Sequence, residues 1–301
     1  MKARRAELKS QMDATRAQID EANERIEART GRNLPLAILI GLAMGFAMLF
    51  SLIVVKELFM IVAAVLIAFT AFELASALRA SGRRVPRWPT VLAALATVPA
   101  AFYLGDSGKW LVTVAGIAFV VLWRSAELAS PRLRAPAREV WLDLAAGTFI
   151  QVYVPFLASY AVLLAAQDGG QWWTLAFLIL VISVDTGAYA TGLTFGKHPM
   201  APRISPKKTW EGFAGSVGAA FIAGILLSLF MIGQPWWFGF VFGAVIVATA
   251  TIGDLTESLI KRDLGIKDIS TWLPGHGGFL DRMDSIVLSS AAAYVLYLIF
   301  A

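Results

Sequence analysis

Two aspartates near the C-terminal end are the first residues whose type and spacing could do chemistry. Asp281 and Asp284 stand three residues apart in the stretch 273–284, LPGHGGFLDRMD, directly before an apolar run of about 17 residues. On a helix this spacing places both carboxylates on one face. The glycines around His276 let backbone approach a ligand closely and present amides to an anion. A helix-capping role would explain one aspartate but not the pair beside these glycines.

A second group lies in the stretch 252–262, IGDLTESLIKR. Asp254, Ser258 and Lys261 follow the i, i+4, i+7 spacing of one helical face, with Glu257 beside it. An acid, a hydroxyl and an ammonium along one stripe could bind a cation and a phosphate together. The alternative is a Lys261-Arg262 pair that snorkels at a helix end, which leaves Asp254 unexplained.

Together, three aspartates from these two segments predict a metal site. Hard carboxylate oxygens suit Mg²⁺, which completes its coordination with water and substrate phosphate. Basic residues in the connection GKHPMAPRISPKKTWEG could neutralise the phosphates of such a complex, although topology alone would also place cations here. These residues are Lys197, Arg203, Lys207 and Lys208.

Three further acidic residues stand in apolar surroundings, where an ionised carboxylate costs about 2.5–3.5 kcal/mol and needs a partner or a watery cavity. Asp185 lies in VDTGAYATG, whose small and hydroxyl residues indicate either a site or close helix packing. For Glu73 and Asp143 the expected role is structural, paired with an arginine such as Arg79 or Arg124 across a helix interface, and the alternative is membership of the site.

The elements that must position these residues are membrane helices. The 301 residues are 58% hydrophobic and 16% charged, with a mean hydropathy of +0.68, and the apolar residues form long blocks. Because a helix needs about 20 apolar residues to span the bilayer, the blocks predict an all-α integral membrane bundle of nine helices. They run over 34–55, 57–78, 88–104, 110–128, 140–166, 171–195, 211–232, 236–260 and 283–300.

Basic residues orient this bundle. With a cytoplasmic N-terminus, only Lys56 and Lys109 of the 26 lysines and arginines fall on outer connections. We therefore expect the N-terminus inside and the C-terminus outside. The net charge of +5 is explained by this topology and by attraction to anionic lipid, so we expect no nucleic-acid partner. The absence of cysteine excludes disulfides, thiolate catalysis and Cys-ligated metals.

The chain divides into two parts. Residues 1–33 form a highly charged cytoplasmic extension that is helical or disordered, and residues 34–301 form a transmembrane catalytic domain. The first apolar block is long enough to span, so we expect it to stay as an anchor rather than act as a cleaved secretory signal.

The motifs taken together resemble a known signature. The spaced positions match the signature of the phosphatidate cytidylyltransferase (CDP-diacylglycerol synthase) family without a gap, and DTGAY at 185–189 and SPKKTWEG at 205–212 are similar to two further family segments. The signature positions are Ser258, Lys261, Arg262, Lys267, Asp268, Ser270, Leu273, Pro274, His276, Gly277, Gly278, Asp281, Arg282 and Asp284.

The resemblance implies an activity and its partners. Such an enzyme transfers CMP from CTP to phosphatidic acid and forms CDP-diacylglycerol and pyrophosphate for phospholipid biosynthesis. It implies Mg²⁺, K⁺ as a possible second cation, and a homodimer. We expect a bacterial inner (plasma) membrane protein whose active site faces the cytoplasm, where CTP meets membrane lipid.

Residue roles follow by motif position. The resemblance implies that Asp254, Asp281 and Asp284 hold the metals and, with Lys261, form the catalytic group. We expect His276 to be a positioning donor rather than a base. The substrate-binding residues are then Ser258, Lys207, Lys208, Arg203, His276, Arg262 and Asp185.

Two other functions fit parts of the pattern. A CTP-dependent lipid alcohol kinase would use CTP but phosphorylate an alcohol. A cation-coupled transporter would also bury carboxylates, but near the bilayer midplane and often in inverted repeats, whereas here Asp281, Asp284 and Lys261 crowd one face.

Overall fold

The computed structural model describes residues 34–270, 272 and 277–301, and the predicted extension 1–33 and His276 lie outside them. In this described part the chain forms nine helices that coincide with the nine predicted apolar blocks to within a few residues. The helices are α1 Leu34–Val54, α2 Lys56–Ala80, α3 Arg87–Tyr103, α4 Gly105–Glu127, α5 Ala137–Ala166, α6 Gly170–Phe195, α7 Trp210–Phe230, α8 Phe238–Asp263 and α9 Leu280–Phe300.

The fold is an all-α integral membrane fold. Among the residues described, seven helices are long and apolar enough to cross a membrane, namely α2 and α4 to α9. Helix α3 has 17 residues, and an apolar stretch of α1 covers Gly41–Val54. The all-α membrane class is therefore confirmed, while the count of nine spans and the orientation of the two ends stay predictions.

Large apolar side chains cover the outside of the bundle. Leu111, Leu193 and Phe230 are 71%, 74% and 83% exposed, and such an extended apolar surface would associate in water. In a membrane, the hydrocarbon chains of lipids cover this surface, so that it is not exposed to water. The interior is also apolar and includes the fully buried rings of Phe177 and Phe242, so that polar side chains inside the bundle require individual explanations.

Helix α5 changes its winding near the middle. A π-helical turn occupies Val152–Phe156 and contains Pro155, which has no N–H to donate and would otherwise clash with the preceding turn. The wider turn accommodates the ring while the helix continues to Ala166. π-turns of this kind are common at functional sites.

A small hairpin interrupts the helices between α6 and α7. Strands β1 (Pro199–Ala201) and β2 (Ser205–Thr209) pair antiparallel. The hydroxyl of Thr209 accepts the N–H of Gly212 and caps α7. The Glu211 carboxylate accepts the Lys197 and His198 N–H groups at 3.1 and 3.2 Å. The basic connection is thus folded back against the start of α7, which the sequence did not predict.

Small residues allow α6 and α7 to pack closely. A Cβ on Gly187 would lie 2.7 Å from Ala219 Cβ and 2.8 Å from the Gly215 carbonyl oxygen. Because α6 and α7 approach this closely, helix packing explains Gly187 of the VDTGAYATG segment. The aspartate of that segment has a different environment.

Candidate active site

A cavity of about 350 Å³ opens where α6, α7, α8, α9 and the hairpin meet. This volume lies in the range of small-ligand sites. Its lining combines apolar and aromatic side chains, including Val184, Tyr189 and Phe213, with six of the predicted site residues. The predicted residues that line it are Asp185, Lys207, Lys208, Asp254, Asp281 and Asp284.

Contact between α8 and α9 brings the signature carboxylates together. Gly253 lies against the Asp284 carbonyl, where a Cβ would overlap the backbone of α9. Because the two helices touch at this glycine, Asp254 on one helix and Asp284 on the other reach the same point. The close approach therefore converts two segments that are distant in sequence into one acidic group.

That acidic group has a composition suited to a hard cation. Carboxylate oxygens of Asp254, Glu257 and Asp284 lie within 4.8 Å of one another. Oxygen Oε1 of Glu257 is buried and accepts no hydrogen bond from the described residues, and an orphaned acceptor of this kind is costly unless a cation or donor satisfies it. The donor set fits Mg²⁺, which takes only oxygen ligands here.

Asp281 has a different role in this geometry. Its Oδ1 accepts Lys261 Nζ at 2.9 Å, and its Oδ2 accepts the N–H of Gly278 at 2.7 Å. Lys261 also lies 2.7 Å from Glu257 Oε2. Asp281 thus lines the cavity but is held through Lys261, whereas Glu257, absent from the predicted metal set, joins Asp254 and Asp284 in the acidic group.

The hairpin brings two lysines, Lys207 and Lys208, to the same cavity as the acidic group. Lys208 forms an ion pair with Asp254, and Lys207 lines the same cavity. Nε of Arg262 donates to the Ile204 carbonyl at 3.2 Å, so this arginine ties the hairpin to the end of α8. The cavity lining therefore contains two lysines together with the carboxylates.

Of the predicted substrate-binding residues that the structure describes, three do not line the cavity. Arg203 is exposed at the hairpin turn, Ser258 is half-buried on α8, and Arg262 holds the hairpin. None of them is among its described lining residues. Asp185 lines the cavity from α6, which agrees with the interpretation of its segment as part of a site.

Comparison with known proteins shows the family of the chain. The sequence pattern of the Cytidylyltransferase family matches residues 36–300. The chain belongs to this cytidylyltransferase family. The predicted family membership is therefore confirmed, and the match extends over almost all of the predicted catalytic domain.

Named relatives of this cytidylyltransferase family chain are bacterial. A Mycobacterium bovis phosphatidate cytidylyltransferase is 38% identical over 275 residues, which cover 89% of this chain and 90% of the relative. A Mycobacterium leprae protein of the same name is 36% identical over 280 residues, covering 89% and 88%. A Brucella suis protein of that name is 39% identical over 158 residues, covering 52% and 57%.

The two isolated carboxylates of this cytidylyltransferase fold have different partners. Asp143 Oδ2 accepts both Nε and Nη2 of Arg124, at 3.0 and 2.9 Å, which confirms the predicted arginine pairing. The expected arginine partner for Glu73 was wrong. Its carboxylate instead accepts hydrogen bonds at the start of α9, and Arg79 donates to the Val85 carbonyl.

One buried hydroxyl of the cytidylyltransferase fold was missed by sequence reasoning. Tyr153 belongs to the π-turn of α5 and is 5% exposed, and its phenol oxygen has no hydrogen-bond partner among the described residues. The carboxylates that interact electrostatically with this phenol are those of Asp284, Glu257 and Asp254. No motif in the sequence singled out this tyrosine.

Proposed function

We propose that this chain transfers CMP from CTP to phosphatidic acid, forming CDP-diacylglycerol and releasing pyrophosphate. The observation that carries the proposal is a cavity lined by carboxylates of α8 and α9, by the hairpin lysines and by apolar side chains, in which Lys208 pairs with Asp254. Membership of the cytidylyltransferase family supports CTP as the nucleotide substrate, and the relatives named phosphatidate cytidylyltransferase support phosphatidic acid as the lipid substrate.

In the proposed reaction a phosphate oxygen of phosphatidic acid attacks the α-phosphorus of CTP. The bond to the β-phosphate breaks, and pyrophosphate leaves with its electron pair. Because a phosphate monoester is already ionised near pH 7, the chain needs no strong general base. The protein's contribution is therefore positioning and charge stabilisation.

Named residues would supply these contributions. Lys207 and Lys208 extend from the hairpin towards the cavity and would hold the anionic triphosphate or the lipid phosphate. The apolar lining residues, including Phe213, would accept the first carbons of the lipid. Lys261 keeps Asp281 in place through its 2.9 Å hydrogen bond, and this orients the first turn of α9.

We further propose that Asp254, Glu257 and Asp284 hold Mg²⁺, with Asp281 at the edge of the same group. A bound divalent ion would neutralise phosphate charge and polarise the α-phosphate. The distance of 4.8 Å within which the three ligand atoms lie supports this assignment. K⁺ as a second cation and a homodimer are implied by the sequence resemblance and stay predictions.

The proposed topology places this cavity at the cytoplasmic side of a bacterial plasma membrane, with nine spans, the N-terminus inside and the C-terminus outside. The distribution of lysine and arginine supports it, because the hairpin and the end of α8 belong to the connections richest in basic residues.

Labelled CTP tests the reaction. Purified protein in lipid nanodiscs would be incubated with phosphatidic acid, Mg²⁺ and CTP labelled at the α- or the γ-phosphate. We expect α-label to enter the lipid fraction and γ-label to appear in pyrophosphate. Entry of γ-label into lipid would instead indicate a CTP-dependent kinase, and no transfer of either label would refute both enzymes. A variant Asp254→Asn serves as the inactive control.

A further inference from the structure

Glu73 is a buried carboxylate that lies outside the signature region. It belongs to α2 and is 2% exposed. Its Oε1 accepts the N–H of Phe279 at 3.2 Å and its Oε2 accepts that of Leu280 at 2.8 Å. The hydroxyl of Ser270 also donates to Oε1. One side chain thus collects three donors from a segment about 200 residues further along the chain.

Aromatic packing fixes the same face of α2 against the same segment. The Phe69 ring stacks on Phe279 with centroids 4.8 Å apart and an interplanar angle of 11°. Trp272 lies 5.9 Å from the Phe69 ring and 5.5 Å from the Phe72 ring. Phe69, Phe72 and Glu73 follow the i, i+3, i+4 spacing of one helical face, so that aromatic packing and hydrogen bonds hold the same segment.

Gly278 provides the space that this carboxylate requires. A Cβ at this position would overlap the Glu73 carboxylate oxygens. The glycine therefore has a steric reason in addition to any contact with substrate. Its own N–H donates to Asp281 Oδ2 at 2.7 Å. Adjacent N–H groups of one turn are thus divided between Glu73, which takes residues 279 and 280, and Asp281, which takes residue 278.

This division determines where α9 begins. The first N–H groups of a helix have no partner within the helix, and an anion at this end is favourable. Since α9 starts at Leu280, Glu73 satisfies its first donors from a neighbouring helix. Asp281 is the next residue, and Asp284 lies less than one turn further on. A shift in the start of α9 would move both aspartates relative to Asp254.

We propose that Glu73 is a positioning residue for the acidic group, acting through the first turn of α9. It does not line the cavity itself among the described residues. Its carboxylate, together with the packing of Phe69 and Phe72, fixes the first turn of α9 along and around the helix axis. This fixes the positions of Asp281 and Asp284. The expected effect on CMP transfer rests on the proposed function. The expected effect on the first turn of α9 is independent of any substrate.

The test compares Glu73→Gln with a matched variant, Asp143→Asn. Both changes remove one negative charge from a side chain that is 2% exposed, but Asp143 pairs with Arg124 away from the cavity. For Glu73→Gln we expect kcat to fall by about 10–100-fold and the Mg²⁺ concentration for half-maximal activity to rise, as for other groups that orient metal ligands. Asp143→Asn should lower the thermal midpoint but leave both values near wild type.

A measurement without substrate or metal separates positioning from general stability. Hydrogen exchange of the peptide covering 277–282 should become faster in Glu73→Gln and stay unchanged in Asp143→Asn. Ser270→Ala removes one of the three donors and should give a smaller change in the same direction, which provides a variant if Glu73→Gln does not fold.

Unchanged exchange in this peptide, or Mg²⁺ dependence equal to wild type, would overturn the positioning role. A wild-type protein that transfers no CMP would refute the proposed function instead, and the exchange result would still decide whether Glu73 holds the start of α9.

Discussion

Glu257 shows how burial alters the meaning of an acidic residue. The side chain is 1% exposed, pairs with Lys261 through Oε2 and leaves Oε1 without a hydrogen-bond donor in the described chain. In sequence it stands beside the stripe formed by Asp254, Ser258 and Lys261. In the folded protein it belongs to the group that the proposal assigns to Mg²⁺.

A conservative change at Glu257 tests that assignment. Glu257→Gln keeps the size and the Lys261 contact but weakens the ligand, so we expect about a 10–100-fold loss of CMP transfer with a higher Mg²⁺ requirement. Titration of activity against Mg²⁺ measures both effects. Glu127→Gln is the control, because Glu127 faces Arg124 at 3.7 Å on another helix. Identical titration curves for Glu257→Gln and wild type would exclude Glu257 as a ligand.

The ion pairs around the cavity also differ in kind. Lys208 belongs to β2 and is 24% exposed in its pair with Asp254, whereas Lys261 is 16% exposed and lies between two carboxylates. A lysine held by two acids is suited to positioning. A lysine at the rim of the cavity is suited to meeting an incoming phosphate.

At the scale of elements, the contact between α8 and α9 has the greatest effect on the site. Gly253 allows the backbones to touch beside Asp284, and polar contacts continue along the interface, where Thr249 Oγ1 and Ser289 Oγ lie 3.0 Å apart. Small residues permit such close packing between membrane helices. The distance between Asp254 and Asp284 is therefore a property of two helices rather than of two side chains.

Substitution of one glycine should separate these helices. Gly253→Ala places a methyl group against the Asp284 backbone, so we expect at least a tenfold loss of CMP transfer in protein that still inserts. Gly218→Ala on α7 is the control, since nothing lies within 4 Å of its Cβ position and alanine favours helix. The measurement is turnover per mole of protein eluting as a single species. Equal losses in both variants would contradict the packing argument.

The hairpin is the element that links two parts of the proposed site. Thr209 caps α7 at one end, and Arg262 binds the turn at the other. Fixed at both ends, β2 presents Lys207 and Lys208 along one edge of the cavity. The hairpin thus has the structural support that a phosphate-binding loop needs.

At the scale of the whole molecule, the two lysines on the predicted outer connections are both engaged. Lys56 Nζ donates to the Gln167 carbonyl at 2.7 Å, and Lys109 is fully buried beside the Phe156 ring, 4.3 Å from its centroid. The predicted orientation therefore rests on the count of lysines and arginines in the connections, of which the outer ones hold only these two.

Cysteine labelling tests this orientation directly, because the chain has no cysteine of its own. Pro206→Cys in the hairpin and Ser107→Cys at the start of α4 are both at exposed positions. In intact cells an impermeant maleimide should label Ser107→Cys, and Pro206→Cys should react only after permeabilisation. The reversed pattern would place the cavity outside the cytoplasm.

The sequence alone determined the membrane class, the positions of the helices and most residues of the candidate site, because long apolar blocks and a spaced signature are local features of the chain. It did not determine which carboxylates lie close together in the folded protein. The presence of Glu257 beside Asp254 and Asp284, the link of Asp281 to Lys261, and the capping of α9 by Glu73 depend on helix rotation and separation. These quantities follow from packing at Gly253 and Gly278 between segments far apart in the chain, so only the tertiary structure decided them.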